Sequence, residues 1–379
     1  MAPHKILVKA GPRARKDTPA CVSLPNGLGA GRLVRDDTGQ PVRCQVLDGS
    51  LHFVVDGLPA GAEQILAFDP KAMSSRSRGV EMRYDPVAAT MQVKLGNRPF
   101  TTYCFGPSCA RPHFYPFLGP GGTQMTRQYP MCKDVVDETR DHVHHRGIWV
   151  ALGDVNGTDN WTENEGHAWQ THRQLTDLTQ GPVLGQFTHT LDWEDHHHVK
   201  VLHEVRTIRF YRLSNSVRVV DLTVALVATE GDVKIGDTKE GGVCSVRVPT
   251  EMDANKGGRI ENSFGGLGEQ ETWGKPAHWC DYSGLVGGQH LGVAIFDHPF
   301  NLRHPTPWHV RNYGLMTANP FGHSDFRSGL LTDGSYTIGS GMELTFRYRV
   351  MVHRGDARRA RIADRYNDYI HPPTVEWLH

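Results

Sequence analysis

Hydrophobic and polar positions alternate along most of this chain with a period of two. Near the C-terminal end Leu344, Phe346, Tyr348, Val350 and Val352 alternate with Glu343, Thr345, Arg347, Arg349 and Met351, the pattern of a strand with one buried and one largely wet face. Val220, Leu222, Val224 and Leu226 repeat it, as do Val80, Met82 and Tyr84, and then Met91, Val93 and Leu95. The 41 glycines and 23 prolines interrupt these runs at short intervals, as hairpins and loops between antiparallel strands require. The expected class is mostly β, a large antiparallel β-sandwich. One helix is expected over 356–370, where Asp356 can cap, Ile362, Tyr366, Tyr369 and Ile370 share a face, and Pro372 and Pro373 stop it.

The segment 71–79 (KAMSSRSRG) is polar and charged, which suits a linker. It predicts a small N-terminal β domain over 1–75 and a large sandwich domain over 79–379 that carries the site and ends in the helix.

Lys plus Arg and Asp plus Glu each number 41 in the 379 residues, so no cationic field exists to hold nucleic acid or an anionic bilayer. No apolar run approaches the ~18 residues of a membrane helix, and the opening MAPHKILVKAG lacks the apolar core of a secretory signal. The expected location is cytoplasmic, with neither nucleic acid nor membrane as partner; a homo-oligomer stays open. Seven cysteines without a Cys-x-x-Cys spacing predict free thiols rather than disulfides or a thiolate zinc site.

Histidine, at 22, is the unusual component, and imidazole suits proton transfer and metal ligation near neutral pH. The first constellation is DHVHHRGIW (141–149), followed by GDVNG (153–157) and Trp161 to Glu163. As a strand, 141–150 would turn His142 and His144 to one face and His145 to the other. The pair can act as general base and acid or as two ligands of a divalent metal ion, an allowed cofactor whose third protein ligand the sequence does not identify. The second is GDTKEGG (236–242), a tight turn that presents Lys239 and Glu240 to a cleft or merely crosses between strands. The third runs from Trp273 through Asp297 and His298 to His304, Trp308, His309, Arg311 and Tyr313. There aromatic faces beside imidazole, guanidinium and carboxylate groups suit a polyhydroxylated ring. The triple His196, His197 and His198 reads as a solvated hairpin tip, because consecutive strand residues cannot share a site.

These motifs together with RPHFYPFLGPGG (111–122), DYSG (281–284), the 297–313 block and NPFG (319–322) resemble a bacterial family called PmoA-like, domain of unknown function 6807. The likeness covers about 100–353. It implies a galactose-mutarotase-like supersandwich and a place in bacterial carbohydrate metabolism beside sugar-oxidising dehydrogenases. It implies no catalytic residues, and the membrane-bound methane oxygenase activity in the family's name does not fit a chain without a membrane segment.

The reading is a carbohydrate-active enzyme that works on a sugar or keto-sugar glycoside by acid/base chemistry, as lyase, hydrolase or epimerase. His142 and His144 act as base and acid or as metal ligands, Arg146, Lys239 and Arg311 face developing oxyanion charge, and Glu240, Asp297 and His298 orient histidines or accept hydroxyl hydrogens. His145, Asn156, Glu163, Trp273, His304, Trp308, His309, Arg311 and Tyr313 are expected to hold the small carbohydrate substrate, Trp308 by stacking. The alternatives are a non-catalytic carbohydrate-binding module and a metal-dependent oxygenase with a two-His, one-carboxylate iron site.

Overall fold

The computed structural model describes residues 4–72, 79–326 and 332–378. The alternating runs become strands: Val80–Asp85, Thr90–Leu95, Val217–Val227 and Glu343–Arg354 all form. Two eight-stranded antiparallel sheets carry most of the chain. One, the front sheet, runs in the order Trp308–Val310, Leu315–Ala318, Gly242–Arg247, Ile148–Ala151, His113–Phe117, Arg98–Cys104, Thr90–Leu95, Val80–Asp85. The other, the back sheet, contains the long hairpins 169–227 together with Glu343–Arg354, Gln289–Asp297, Trp279–Val286 and Arg259–Asn262. Their facing side chains, among them Phe100, Phe114, Phe210, Val224, Val246, Trp308 and Tyr348, are buried in one continuous core. That burial is the main stabilising term of the fold. Among the described residues no helix is long and apolar enough to cross a membrane.

Residues 4–69 fold as a smaller pair of sheets over their own apolar cluster. The last strand of the chain, Thr374–Leu378, pairs antiparallel with His4–Lys9 in this unit. The smaller unit therefore draws on both ends of the sequence, where a division into 1–75 and 79–379 had been expected. The expected linker 71–79 falls largely outside the described residues.

The helix is shorter than the sequence pattern implies, spanning Ile362–Ile370. Asp356 does cap, but it caps a separate turn, accepting from the Arg359 amide at 2.8 Å. Arg361 then takes a left-handed backbone, φ 57°, which an α-helix cannot continue through. The helix lies between the back sheet and the N-terminal unit, tied by a buried Arg15–Asp368 ion pair at 2.8 Å and by Ile362 and Tyr366 packed with Val54, Phe296 and Met351.

All seven cysteines are free, with Cys44, Cys244 and Cys280 buried and Cys21 and Cys132 exposed. His196 to His198 sit on the exposed turn between strands Leu184–Glu194 and Lys200–Tyr211, the hairpin tip the sequence suggested.

Candidate functional site

The front sheet turns alternate residues to opposite faces. Phe114, Ile148, Val246, Met316 and Val310 are in register and enter the core. One residue along, His113, Trp149, Ser245, Thr317 and His309 lie side by side on the outer face. This second row is buried as well: His145 and Trp161 lie against Trp149, and the Lys239 carbonyl, Trp273 and Phe326 lie against His309. A buried row of imidazole, indole and hydroxyl groups outside the apolar core is the floor of the candidate site.

The histidine motif does not form the expected strand. Residues 141–147 make a turn, with the His145 amide donating to the His142 carbonyl at 3.0 Å, and the strand starts only at Ile148. Gly147 closes the turn with φ 60°, and a Cβ there would stand 2.1 Å from the Phe114 carbonyl oxygen. The turn gathers all three imidazoles where a strand would have split them. His142 and His145 stack at 4.7 Å between ring centroids, and His144 stands edge-on 4.5 Å from His145. Tyr313 stacks on His142 at 5.0 Å, while Trp149 and Trp161 lie 5.2 and 5.5 Å from His145.

Asp141 organises this knot. Its carboxylate accepts from Arg127 Nη1 and, at 2.8 Å, from Arg247 Nη2, and Oδ2 lies 3.2 Å from His142 Nδ1. Burial opposes its ionisation, but the His142 hydrogen bond and the two guanidinium groups outweigh burial and hold Asp141 well below the usual carboxylate range. An ionised carboxylate only accepts, so His142 Nδ1 carries a hydrogen and Nε2 of the neutral ring is left with its lone pair. His142 is 39% exposed at the mouth of the cluster. His144, His113 and His309 are each pushed down to about 4, first by burial and, for His144, also by Arg111 and His142; all three are neutral at pH 7.

Two flanks complete the site. On one, Glu163 takes a bidentate pair from Arg146, at 2.8 and 2.6 Å, with Arg111 Nη1 at 3.7 Å. Arg146 is thus engaged with Glu163 rather than offered to an oxyanion. On the other flank His309 Nδ1 donates to the Lys239 carbonyl at 2.6 Å, and Trp273 lies 6.3 Å from His309. Arg311 pairs with Glu269 at 3.4 Å and lies over the Tyr313 ring at 5.7 Å. Lys239 stands between Glu240 and Asp325, at 3.9 and 3.8 Å.

The remaining expected residues lie elsewhere. Trp308 faces the core, fully buried, its indole donating to the Ala277 carbonyl at 2.9 Å, so it has no free face for a sugar; period two on Trp308–Val310 gives the site to His309 instead. Asp297 ends a back-sheet strand and is saturated by Asn301, His304 and the Thr306 amide at 2.7, 2.7 and 2.9 Å. His304 continues to His278 at 3.1 Å, and His298 packs on Tyr369 of the helix. Asn156 is a turn residue, accepting from the Lys234 amide at 2.7 Å. Among the described residues no set of three or more His, Cys, Asp or Glu side chains is arranged to hold a metal ion, and the His142 and His144 pair finds no third ligand.

Six side chains central to the knot had been given no role: Arg111, Arg127, Asp141, Trp149, Trp161 and Arg247. Asp141 and Trp161 stand inside the motifs, one residue from His142 and two from Glu163. Arg127 and Arg247 lie in stretches with no chemical signature, and only the fold brings them in. A cavity of about 400 Å³ opens on the loop that delivers Asp141, lined by Thr126, Glu138, Thr250, Glu251 and Lys256 among others.

Fold and site together define a β-sandwich protein with an imidazole- and guanidinium-lined cluster on the outer face of one sheet. The chain belongs to a family of unknown function, DUF6807, whose model matches residues 90–367, a span that includes every residue of the cluster. No curated protein matches it in sequence. Among solved structures it is similar to a glycosyl hydrolase family 38 protein from Enterococcus faecalis, at 10% identity and a TM-score of 0.50, over 100% of this chain and 47% of that one. A second similar structure, the alpha-galactosidase from Lactobacillus brevis, is 9% identical with a TM-score of 0.33, over 73% of this chain and 41% of that one. The chain thus spans about half the length of the first, and the likeness to it is one of fold.

Proposed function

We propose that this protein is a carbohydrate-active enzyme that acts on a sugar or keto-sugar glycoside by acid/base chemistry, on a galactose-mutarotase-like supersandwich. The observation that carries the reading is the Asp141–His142 pair at the mouth of the cluster, with Arg127 and Arg247 fixing the carboxylate. His142 Nε2 takes a proton from the carbon beside a carbonyl or from a hydroxyl or water, and the ionised Asp141 stabilises the imidazolium that forms. His144, neutral at pH 7, stands beside it as the hydrogen-bonding partner of the carbonyl oxygen or leaving group. Tyr313 and Trp273 supply ring faces, and Arg311 and Lys239 a cationic rim. The architecture shared with a glycosyl hydrolase family 38 protein fits a carbohydrate substrate.

The test is to incubate the purified protein with a panel of glycosides and their ring-oxidised (keto) counterparts and to follow products by NMR. Turnover of at least one, lost in His142→Ala and His144→Ala variants that keep the wild-type circular dichroism, is expected. Calorimetric binding without turnover of any member would overturn the enzyme and leave a carbohydrate-binding module.

A further inference from the structure

The knot of rings at the site holds buried hydrogen-bond donors that nothing accepts from. Trp149 Nε1, Trp161 Nε1, His145 Nε2 and Arg111 Nη1 are all buried without a hydrogen-bond partner, as is His144 Nε2 beside them, and Arg111 Nη1 has only the Glu163 carboxylate at 3.7 Å. A buried N–H left unpaired costs about 1–3 kcal/mol, and native interiors leave few of them. Four in neighbouring side chains are not packing noise: Trp149 and Trp161 stand 5.6 Å apart, each within 5.5 Å of His145. Arg111 is fully buried and fastens the residue after Trp161, donating to the Thr162 carbonyl at 2.8 Å.

The sign of all four is fixed by chemistry. Indole and guanidinium nitrogens only donate. His145 is fixed by its neighbour: Arg247 Nη1 lies 3.0 Å from His145 Nδ1, and since the guanidinium can only give, Nδ1 must accept. The hydrogen of the neutral ring is then on Nε2. A neutral sugar offers hydroxyls that both give and take, and its site needs a mixture of donors and acceptors. A site whose four fixed groups all donate, with only the His144 tautomer free to adjust, is complementary to a group that only accepts.

We propose that this cluster is a carboxylate subsite and that the substrate is an acidic sugar, its carboxylate oxygens held by His145 Nε2, the Trp149 and Trp161 indole N–H groups and Arg111 Nη1. The inference rests on reading the site as one for carbohydrate, and it adds the charge of the substrate. The surroundings agree. The guanidiniums of Arg247 and Arg127 act on His145, and with the Asp141 carboxylate that both hold they make two cations to one anion, a field that favours an anion. Glu163, nearest counter-ion of Arg111, already receives both donors of Arg146. Apolar walls from Ala151 and Leu315 exclude water and strengthen charge-assisted hydrogen bonds.

The experiment measures binding through the fluorescence of the site tryptophans and by calorimetry. The probes are methyl hexosides of gluco, galacto and manno configuration, each paired with the uronic acid that carries a carboxylate at C6. At least one acid is expected to bind ten-fold or more tightly than its neutral partner. Trp161→Phe and Trp149→Phe, which keep a ring and remove the donor, should each erase about ten-fold of that preference, read as the ratio of acid to neutral affinity. Arg111→Gln should do the same and also remove the salt dependence. If every neutral sugar binds as well as its acid, or if the preference survives all three substitutions, only water occupies the donors and the proposal is overturned. Neutral-sugar binding together with His142-dependent turnover would overturn this inference and leave the enzyme standing; binding of neither class would remove both.

Discussion

The smallest unit that decides what this protein can do is a carboxylate and the ring next to it. Asp141 receives two guanidinium groups and faces His142 Nδ1, and only the ionised form satisfies all three. Replacing it by Asn keeps the shape, but its NH₂ group would face a donor. Asp141→Asn is therefore expected to lower kcat by about 10²–10⁴ with little change in KM, since the ring loses the partner that sets its tautomer and stabilises its charge. Steady-state kinetics on whatever glycoside proves to be turned over checks this; a kcat within three-fold of wild type would remove Asp141 from the mechanism. At this scale the sequence was informative about residue types and poor about partners. The histidines announce themselves by clustering, whereas Arg127 and Arg247, 14 and 106 positions from Asp141, carry no local signal. An arginine in a strand looks like any wet-face residue until the fold buries it.

Among the elements, the turn 141–147 matters most, because it converts three nearly consecutive histidines into one cluster. Alternation along a strand would have pointed His145 away; the left-handed Gly147 against the Phe114 carbonyl makes the turn instead. Gly147→Ala is expected to cost more than about 2 kcal/mol, for backbone strain and for a steric conflict that no rotamer relieves, and to abolish turnover by displacing the histidines. Thermal melts and the product assay read both. Glycine at the end of a histidine run was the available clue, and period-two reasoning overrode it. Residues 308–310, expected in a Pro-rich loop after the strand that ends near Phe296, form a strand instead, and its alternation sends Trp308 into the core and His309 to the site. Asp297 offers the contrasting case. It is buried with three donors on it, in the back sheet. Asp297→Asn should destabilise the protein by about 2–4 kcal/mol yet leave kcat within about two-fold. Loss of activity in a variant that remains folded would restore Asp297 to the site.

For the whole molecule, the sandwich itself was legible because period two and frequent Gly and Pro are properties of the chain read locally. The return of Thr374–Leu378 to pair with His4–Lys9 was not, since a strand's partner is chosen by tertiary contacts. A further whole-molecule property follows from where the histidines end up. His113, His144 and His309 are pushed down to about 4, His189 to about 2 and His145 well below its ordinary value, in every case chiefly by burial, with nearby cations adding to it and, for His113 and His309, a carbonyl acceptor opposing. The unfolded chain binds protons at these rings near the ordinary value of about 6.5, and the folded chain does not. Stability from this source is therefore complete above about pH 6.5 and falls as the pH drops toward 4, because the unfolded state takes up more protons. By about pH 5 a ring displaced to about 4 has cost on the order of 2 kcal/mol, and several such rings add in the same direction. A domain of ordinary stability has about 5–15 kcal/mol to lose. The protein is accordingly expected to lose stability steeply as the pH falls from about 6.5 to 5, with several protons taken up on unfolding, while Asp253, pushed up to about 6 by burial, works in the opposite direction. Calorimetric melts between pH 7.5 and 4.5 measure this directly: Tm should fall steeply below pH 6, and the slope should diminish in a His189→Gln variant, which removes a ring displaced to about 2. A Tm that stays level from pH 7 to pH 5 would mean that these imidazoles are hydrated in the folded state and that the row beneath the site is open to water rather than closed by the residues packed against it.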